Sequence, residues 1–218
     1  MVSSKFRAWR GWVGIVVLGL LPLVGIAGET QSPKEMLERV AQQMLKVLQE
    51  RDVELRQDPG KLQDLVEELL VPHVDLEVVS RWVLGKYWRK ATPEQRKRFA
   101  EEFKKMLIRF YSSALLEYAD FKFRFYPVKM KKDARRVVVR SEVMRTGGPP
   151  HTVNYSLIRR KGTWKVYDVT IDGVSVVTTY RSSFAEEIRR VGIDGLIKKM
   201  ASWNREAVLP GTKKKAGG

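Results

Sequence analysis

Residues 93–126 read PEQRKRFAEEFKKMLIRFYSSALLEYADFKFRFY, and the spacing of the hydrophobic residues changes within this stretch. Up to Tyr118 the apolar residues recur three or four positions apart, which predicts a long amphipathic helix with a broad aromatic stripe. From Phe121 onwards they recur at every second position, which predicts a β-strand. The chain therefore changes here from helices to a sheet, as α+β proteins do.

Shorter helices are predicted before the long helix. Ser32 opens a capping box followed by proline, and this predicts a helix over 33–51. Asp58 precedes a proline and an apolar stripe, which indicates a second helix that ends at Pro72. A third helix is expected over 75–84, where Gly85 ends it because glycine takes a positive φ without strain.

Four alternating runs after Asp120 predict an antiparallel meander: 121–126, 137–144, 151–160 and 163–172. The last two are joined by Lys161-Gly162, a short hairpin connection, and no long crossover is available for a parallel sheet. We therefore expect a twisted antiparallel sheet of four to five strands. Its curvature should be of the cystatin-like or nuclear-transport-factor-like kind, and N- and C-terminal helices should wrap it.

The predicted domain organisation is a signal peptide at 1–27, a single domain at 28–207 and a disordered basic tail at 208–218. Within the domain, the helical part covers about 32–118, the sheet about 120–177 and the C-terminal helices about 178–204. These helices are predicted over 178–191 and 194–203, with a break at Gly192.

The signal peptide is predicted from Lys5, Arg7 and Arg10, a following uncharged stretch, and the small residues Gly25 and Ala27. The uncharged stretch is shorter than the roughly 20 apolar residues of a membrane span, so cleavage near Ala27 is favoured over a retained anchor. We therefore expect an exported, periplasmic protein.

The composition limits the possible partners. The chain has no cysteine and a formal charge of +16, so an exported form must be stable without disulfides. In the cytosol such a charge would indicate nucleic-acid binding, but export removes that partner. A basic surface outside the cytosol favours an anionic membrane or an acidic partner, although a merely solvated charged face remains an alternative.

The sequence gives little sign of catalytic chemistry. His73 and His151 are the only histidines, which argues against a metal site, and the glycine patterns of nucleotide cofactors are absent, so we expect no cofactor. One enzymatic hypothesis remains, in which Asp168 acts as a desolvated general base in a conical cavity. Asp168 is expected to share a face with Trp164 and Val166, and its structural alternative is a pairing with Arg181.

A hydrolase triad is a weaker possibility. His151, Asp168 and Ser175 would serve only if the fold brought them together, and sequence does not fix that geometry.

Two segments are more specific than these patterns: LGKYWRKATPEQR at 84–96 and WKVYDVTIDGVS at 164–175. The first runs into Phe99 and Phe103, and the second is followed by Tyr180-Arg181, Phe184 and GIDGL at 192–196. Together they resemble the MlaC family, the periplasmic phospholipid-binding component of a bacterial ABC transport system, also called the toluene-tolerance auxiliary proteins. The resemblance covers about 32–203.

The resemblance implies a soluble carrier that moves phospholipid between an inner-membrane ABC transporter complex and an outer-membrane lipoprotein/porin complex. It implies acyl chains held between sheet and helices, with the headgroup outside. We expect a monomer that touches these complexes transiently and binds no nucleic acid.

An apolar cavity is therefore expected between the long helix and one sheet face. Its predicted lining is Phe99, Phe103, Met106, Phe110, Tyr111, Val137, Val139, Val153, Tyr155, Tyr167 and Val169. An error of one residue in the strand phase would invert the face, and the same residues could instead form a filled core.

Two further groups of residues complete the predicted sites. Headgroup or partner docking is assigned to a basic cluster at the sheet end: Lys129, Lys131, Lys132, Arg135 and Arg136. Structural roles are assigned to Gly85, Trp88, Asp168, Gly173 and Arg181, the last by pairing with Asp168 or Asp172.

Three classes of function remain open at this point: a lipid carrier, an enzyme that uses Asp168, and a polyanion-binding surface protein. Within the first class, a polycyclic lipid such as a hopanoid is the rival cargo.

Overall fold

A computed structural model describes residues 31–131, 133–145 and 148–205. The predicted signal peptide, the predicted tail and Lys132 lie outside the described residues.

The helices follow the capping signals of the sequence. The Ser32 and Thr92 side chains each accept a backbone N–H of the following turn, which fixes the starts of the first and the longest helix. The helices are α1 (Pro33–Glu50), α2 (Asp52–Gln57), α3 (Pro59–Leu69), α4 (Leu76–Leu84), α5 (Pro93–Leu115) and α6 (Val176–Arg205). Short 3-10 turns cover Val71–His73, Gly85–Arg89 and Leu116–Tyr118.

The sheet is a five-stranded antiparallel meander in the order β1-β2-β3-β4-β5. Its strands are β1 (Lys122–Phe125), β2 (Arg136–Met144), β3 (His151–Arg160), β4 (Thr163–Ile171) and β5 (Val174–Ser175). The predicted α+β class with an open antiparallel sheet is confirmed.

The C-terminal helices predicted over 178–191 and 194–203 form one kinked element. Gly192 adopts φ 74° and ψ 175° inside α6, and this non-helical residue marks the predicted break. The helix begins at Val176, two residues earlier than expected. The Asp168 carboxylate of β4 accepts the Val177 N–H, which would otherwise have no partner at the helix start.

Three apolar clusters hold the layers together. One joins α4, α5 and α6, a second joins α1, α2, α3 and α5, and a third packs the first turns of α1 on the sheet. The space where these clusters meet is the candidate site.

Candidate functional site

The aromatic stripe of α5 is covered by α6. Phe99 and Phe103 are almost completely buried, and both meet the ring of Phe184 edge-on, with centroids 5.9 and 5.7 Å apart. Met106 is equally buried in this cluster, and Phe110 packs against it. The structure therefore places these four predicted cavity residues in a filled helical core, because α6 returns across the stripe and occupies the space.

Part of the predicted sheet face is covered by α1. Val139 is fully buried beside Met36 and Leu37, and Val137 and Tyr155 pack against this cluster, while Val153 is buried farther along β3. Burial raises the pKa of Tyr155 to about 12. The predicted face does point inward, but the first turns of α1 fill the space in front of it.

An apolar cavity of about 360 Å³ lies between α5, β4, the α3–α4 connection and the start of α6. It brings together three of the predicted residues, Tyr111, Tyr167 and Val169. The rest of its lining is mainly aliphatic: Val66, Leu70, Val71, Val74, Leu76, Val79, Leu107, Ile108, Leu115, Val166, Ile171, Val176 and Val177. Its polar members are Lys104, Ser112 and Asp168. Its volume is within the range of roughly 300–1,000 Å³ that ligand pockets occupy.

Large apolar side chains of the lining reach solvent at one side of the apolar cavity. Tyr111 is 47% exposed and Ile171 is 42% exposed, so both line the cavity and also contact solvent. The Tyr111 hydroxyl lies 3.3 Å from that of Tyr180, and burial, followed by this contact, raises the pKa of Tyr180. The Tyr180 phenol is therefore neutral at ordinary pH, and this side can admit an apolar ligand.

Sequence reasoning missed the α3–α4 connection as a wall of the apolar cavity. Val71 and Val74 flank Pro72, which was interpreted only as the end of a helix. The signal that could have found them is the row of valine and leucine residues that continues past the proline. Ser112 of α5, which is buried and lines the cavity, was missed because it is polar.

Asp168 holds the start of α6. Its Oδ2 accepts the Ser175 hydroxyl at 2.7 Å, and its Oδ1 accepts the Val177 N–H at 3.1 Å. Both carboxylate oxygens thus have partners, which agrees with a structural role.

The predicted pairing of Arg181 with an aspartate is not found among the described residues. Asp172 binds His151 at 2.7 Å and the Thr152 N–H at 2.9 Å, and these contacts lower its pKa. Asp168 is bound by Ser175, so His151 and Ser175 belong to different carboxylates and no triad is assembled. Arg181 lies on the second turn of α6, and its guanidinium instead lies against Gly85.

The remaining structural residues occupy turns and stacking contacts. Gly85 has φ +54°, and a Cβ there would lie 2.9 Å from Nε of Arg181. The guanidinium of Arg96 lies 5.0 Å from the Trp88 ring centre and donates to its carbonyl oxygen. Gly173 has φ +86° in the turn between β4 and β5.

The described members of the basic cluster do not border the apolar cavity. Lys129, Lys131 and Arg135 are exposed in the connection between β1 and β2. Arg136 lies at the start of β2, and its guanidinium lies over α4, 6.0 Å from the Trp82 ring centre.

Two kinds of feature are not found in the part of the chain that the structure describes. Residues 31–131, 133–145 and 148–205 hold no cluster of three or more acidic or histidine side chains suited to a metal ion. None of the described helices has the length and apolar character that a membrane crossing needs.

Comparison with known proteins decides the family. The family model described as MlaC protein matches residues 38–202. The chain belongs to the MlaC family. The predicted family membership is confirmed, and so is the prediction of a binding protein and not an enzyme.

Similar proteins agree with this assignment to the MlaC family. The chain is 33% identical to the toluene tolerance protein Ttg2D of Pseudomonas putida over 88% of each sequence. It is 29% identical to the intermembrane phospholipid transport system binding protein MlaC of Haemophilus influenzae, over 90% of this chain and 92% of that one. The phospholipid-binding protein of Ralstonia solanacearum, solved in complex with a phospholipid, matches with a TM-score of 0.74 and 30% identity, over 80% of this chain and 98% of that one.

Proposed function

We propose that this chain is a phospholipid-binding transport protein that works as a soluble periplasmic carrier. In this proposal the apolar cavity holds acyl chains, and the protein shuttles lipid between an inner-membrane ABC transporter complex and an outer-membrane lipoprotein/porin complex. The observation that carries the proposal is the aliphatic cavity with exposed Tyr111 and Ile171, in a chain similar to a protein solved with bound phospholipid.

The energetics favour a cavity of this kind. Each buried methylene contributes about 0.8 kcal/mol, so the tails supply most of the binding free energy and the headgroup can stay in water. A volume of 360 Å³ accommodates only part of a diacyl lipid, so we expect α5 and β4 to lie farther apart in the loaded protein. The binding free energy must stay moderate, because a carrier has to release its cargo.

The predicted leader and oligomeric state belong to the same proposal. We propose that residues 1–27 direct export and are removed, and that the mature chain acts as a monomer. Its basic charge favours approach to anionic membranes and acidic partners.

Native mass spectrometry of the mature protein, purified without detergent from a bacterial periplasm, tests the cargo. Adducts at phospholipid mass, identified after organic extraction, are expected and give the number of acyl chains. Adducts at hopanoid mass would support the rival cargo, and a consistently empty protein would contradict the carrier function.

A further inference from the structure

A second concavity lies on the other side of α4. This basic groove, about 820 Å³ in volume, is bounded by α4, the 3-10 turn Gly85–Arg89, the start of α6 and the ends of β2 and β3. Among the described residues that line it, seven are cationic and one, Glu77, is acidic. So strong an imbalance within one concave surface indicates an anionic partner.

Most of these cations lack an internal counter-charge. Arg160 pairs with Asp75 at 2.9 Å and with Glu77 at 3.2 Å. Within the described ranges, no ion pair is formed by the other lining cations, which include Arg81, Lys86, Arg89, Arg136 and Arg181. Holding these like charges together costs free energy that an acidic ligand would recover.

The aromatic residues of the basic groove orient the arginines. Trp82 is 40% exposed and lies under the Arg136 guanidinium, and Trp88 lies under Arg96. A stacked guanidinium keeps its N–H edge free for a carboxylate. Exposed tryptophan beside arginine is also the composition of protein-interface hot spots.

We propose that the basic groove is the docking site for an acidic segment of a protein partner. Its concave shape does not match a flat bilayer surface, and a single phosphate group would fill only a small part of 820 Å³. A segment of several acidic residues matches both the volume and the charge.

The proposal rests on the carrier function above, since a carrier must meet a partner to load and unload. The Trp82 ring stacks on Tyr167 with centroids 6.1 Å apart, and Tyr167 lines the apolar cavity. A docked segment would therefore lie one aromatic pair away from the lipid.

The test compares two charge-neutralising variants of the mature chain for binding of a fluorescent decaglutamate peptide at fixed salt. R81Q/R89Q removes two exposed cations of the basic groove, and K129Q/K131Q removes two exposed cations outside it. R81Q/R89Q should weaken binding about tenfold and the control less than about twofold. Arg136→Gln is a second groove variant and should weaken binding in the same direction.

Three results would overturn the proposal. Equal weakening by both double variants would show that only the net charge matters. Displacement of the peptide by inorganic phosphate at equal concentration would indicate a small-anion site. Loss of binding to phosphatidylglycerol vesicles, with peptide binding unchanged, would indicate a membrane surface.

Lipid content, measured by mass spectrometry on the same samples, separates the two hypotheses. R81Q/R89Q should keep the lipid of the unmodified protein while losing the peptide. An unmodified protein that carries no lipid but still binds the peptide through the basic groove would contradict the carrier function and leave the docking site standing.

Discussion

Replacing Ser112 by phenylalanine should block the apolar cavity from inside. Ser112 lies on α5, is 4% exposed and lines the cavity, whereas its neighbour Ser113 is exposed to solvent. A phenyl ring at position 112 enters the space that we assign to an acyl chain, and the same ring at position 113 points away from it. The two variants have identical composition, so Ser113→Phe is a matched control.

The expected size of the effect follows from the apolar surface that the ring displaces. A phenyl group takes the place of about four methylenes of the tail, each contributing about 0.8 kcal/mol. The loss is then about 3 kcal/mol, which weakens lipid binding roughly 100-fold. Overpacking costs about 1–3 kcal/mol, less than a typical folding free energy of about 5–15 kcal/mol, so Ser112→Phe should still fold.

Both variants would be purified from the periplasm without detergent and compared by native mass spectrometry, then titrated with fluorescent phospholipid after delipidation. Urea unfolding of the delipidated proteins checks that both are folded. If Ser112→Phe kept as much lipid as Ser113→Phe while folded, acyl chains would not occupy the apolar cavity.

Further predictions concern the framework around the site. Asp168→Ala should lower the free energy of unfolding by about 1–2 kcal/mol in urea, because the α6 N–H and the Ser175 hydroxyl lose their acceptor; an unchanged midpoint would contradict the capping role. Gly85→Ala should lower the free energy of unfolding by about 1–3 kcal/mol, because Gly85 has a positive φ. The loss should exceed that of Gly173→Ala, since Gly173 also has a positive φ but an added Cβ at that position would not contact Arg181; equal urea midpoints would contradict this. His151→Gln should raise the pKa of Asp172 toward 3.8 in a carbon NMR titration, since the His151 and Thr152 contacts hold it below that value. Because the folded pKa is lowered, the stabilisation by Asp172 is present above pH 3.8 and lost as the pH falls through the folded pKa, and an unshifted titration would contradict this.

The elements were predictable because their signals are local. A capping box needs only Ser32 and the following turn, and the two-residue hairpin at Lys161-Gly162 fixes its own strands. The break at Gly192 was likewise visible, since glycine readily takes the positive φ that ends a helix.

The lining of the site was less predictable, because an apolar pattern predicts that a face is buried but does not show which element covers it. Phe99 and Tyr111 belong to the same helix stripe, yet α6 covers the first and leaves the second beside the apolar cavity. Which element returns over which turn is set by packing between distant segments, and a single-chain pattern carries no information about it. The basic groove was not predicted as a unit for the same reason: Arg136 was assigned to docking, but Arg81 and Arg181 lie far from it in sequence.

One irregularity of β4 explains how its residues serve two surfaces. Leu157 pairs with Val166 and Ser156 pairs with Asp168, so Tyr167 is an extra residue in the strand. The shift puts Val169 on the same face as Val166, contrary to the predicted alternation. Asp168, which also lines the apolar cavity, accepts the Val177 N–H and so caps α6. The shift also lets Tyr167 line the apolar cavity while stacking on Trp82 of the basic groove. A pattern of period two cannot show a one-residue insertion, and this insertion is what connects the lipid site that we propose to the docking surface that we infer.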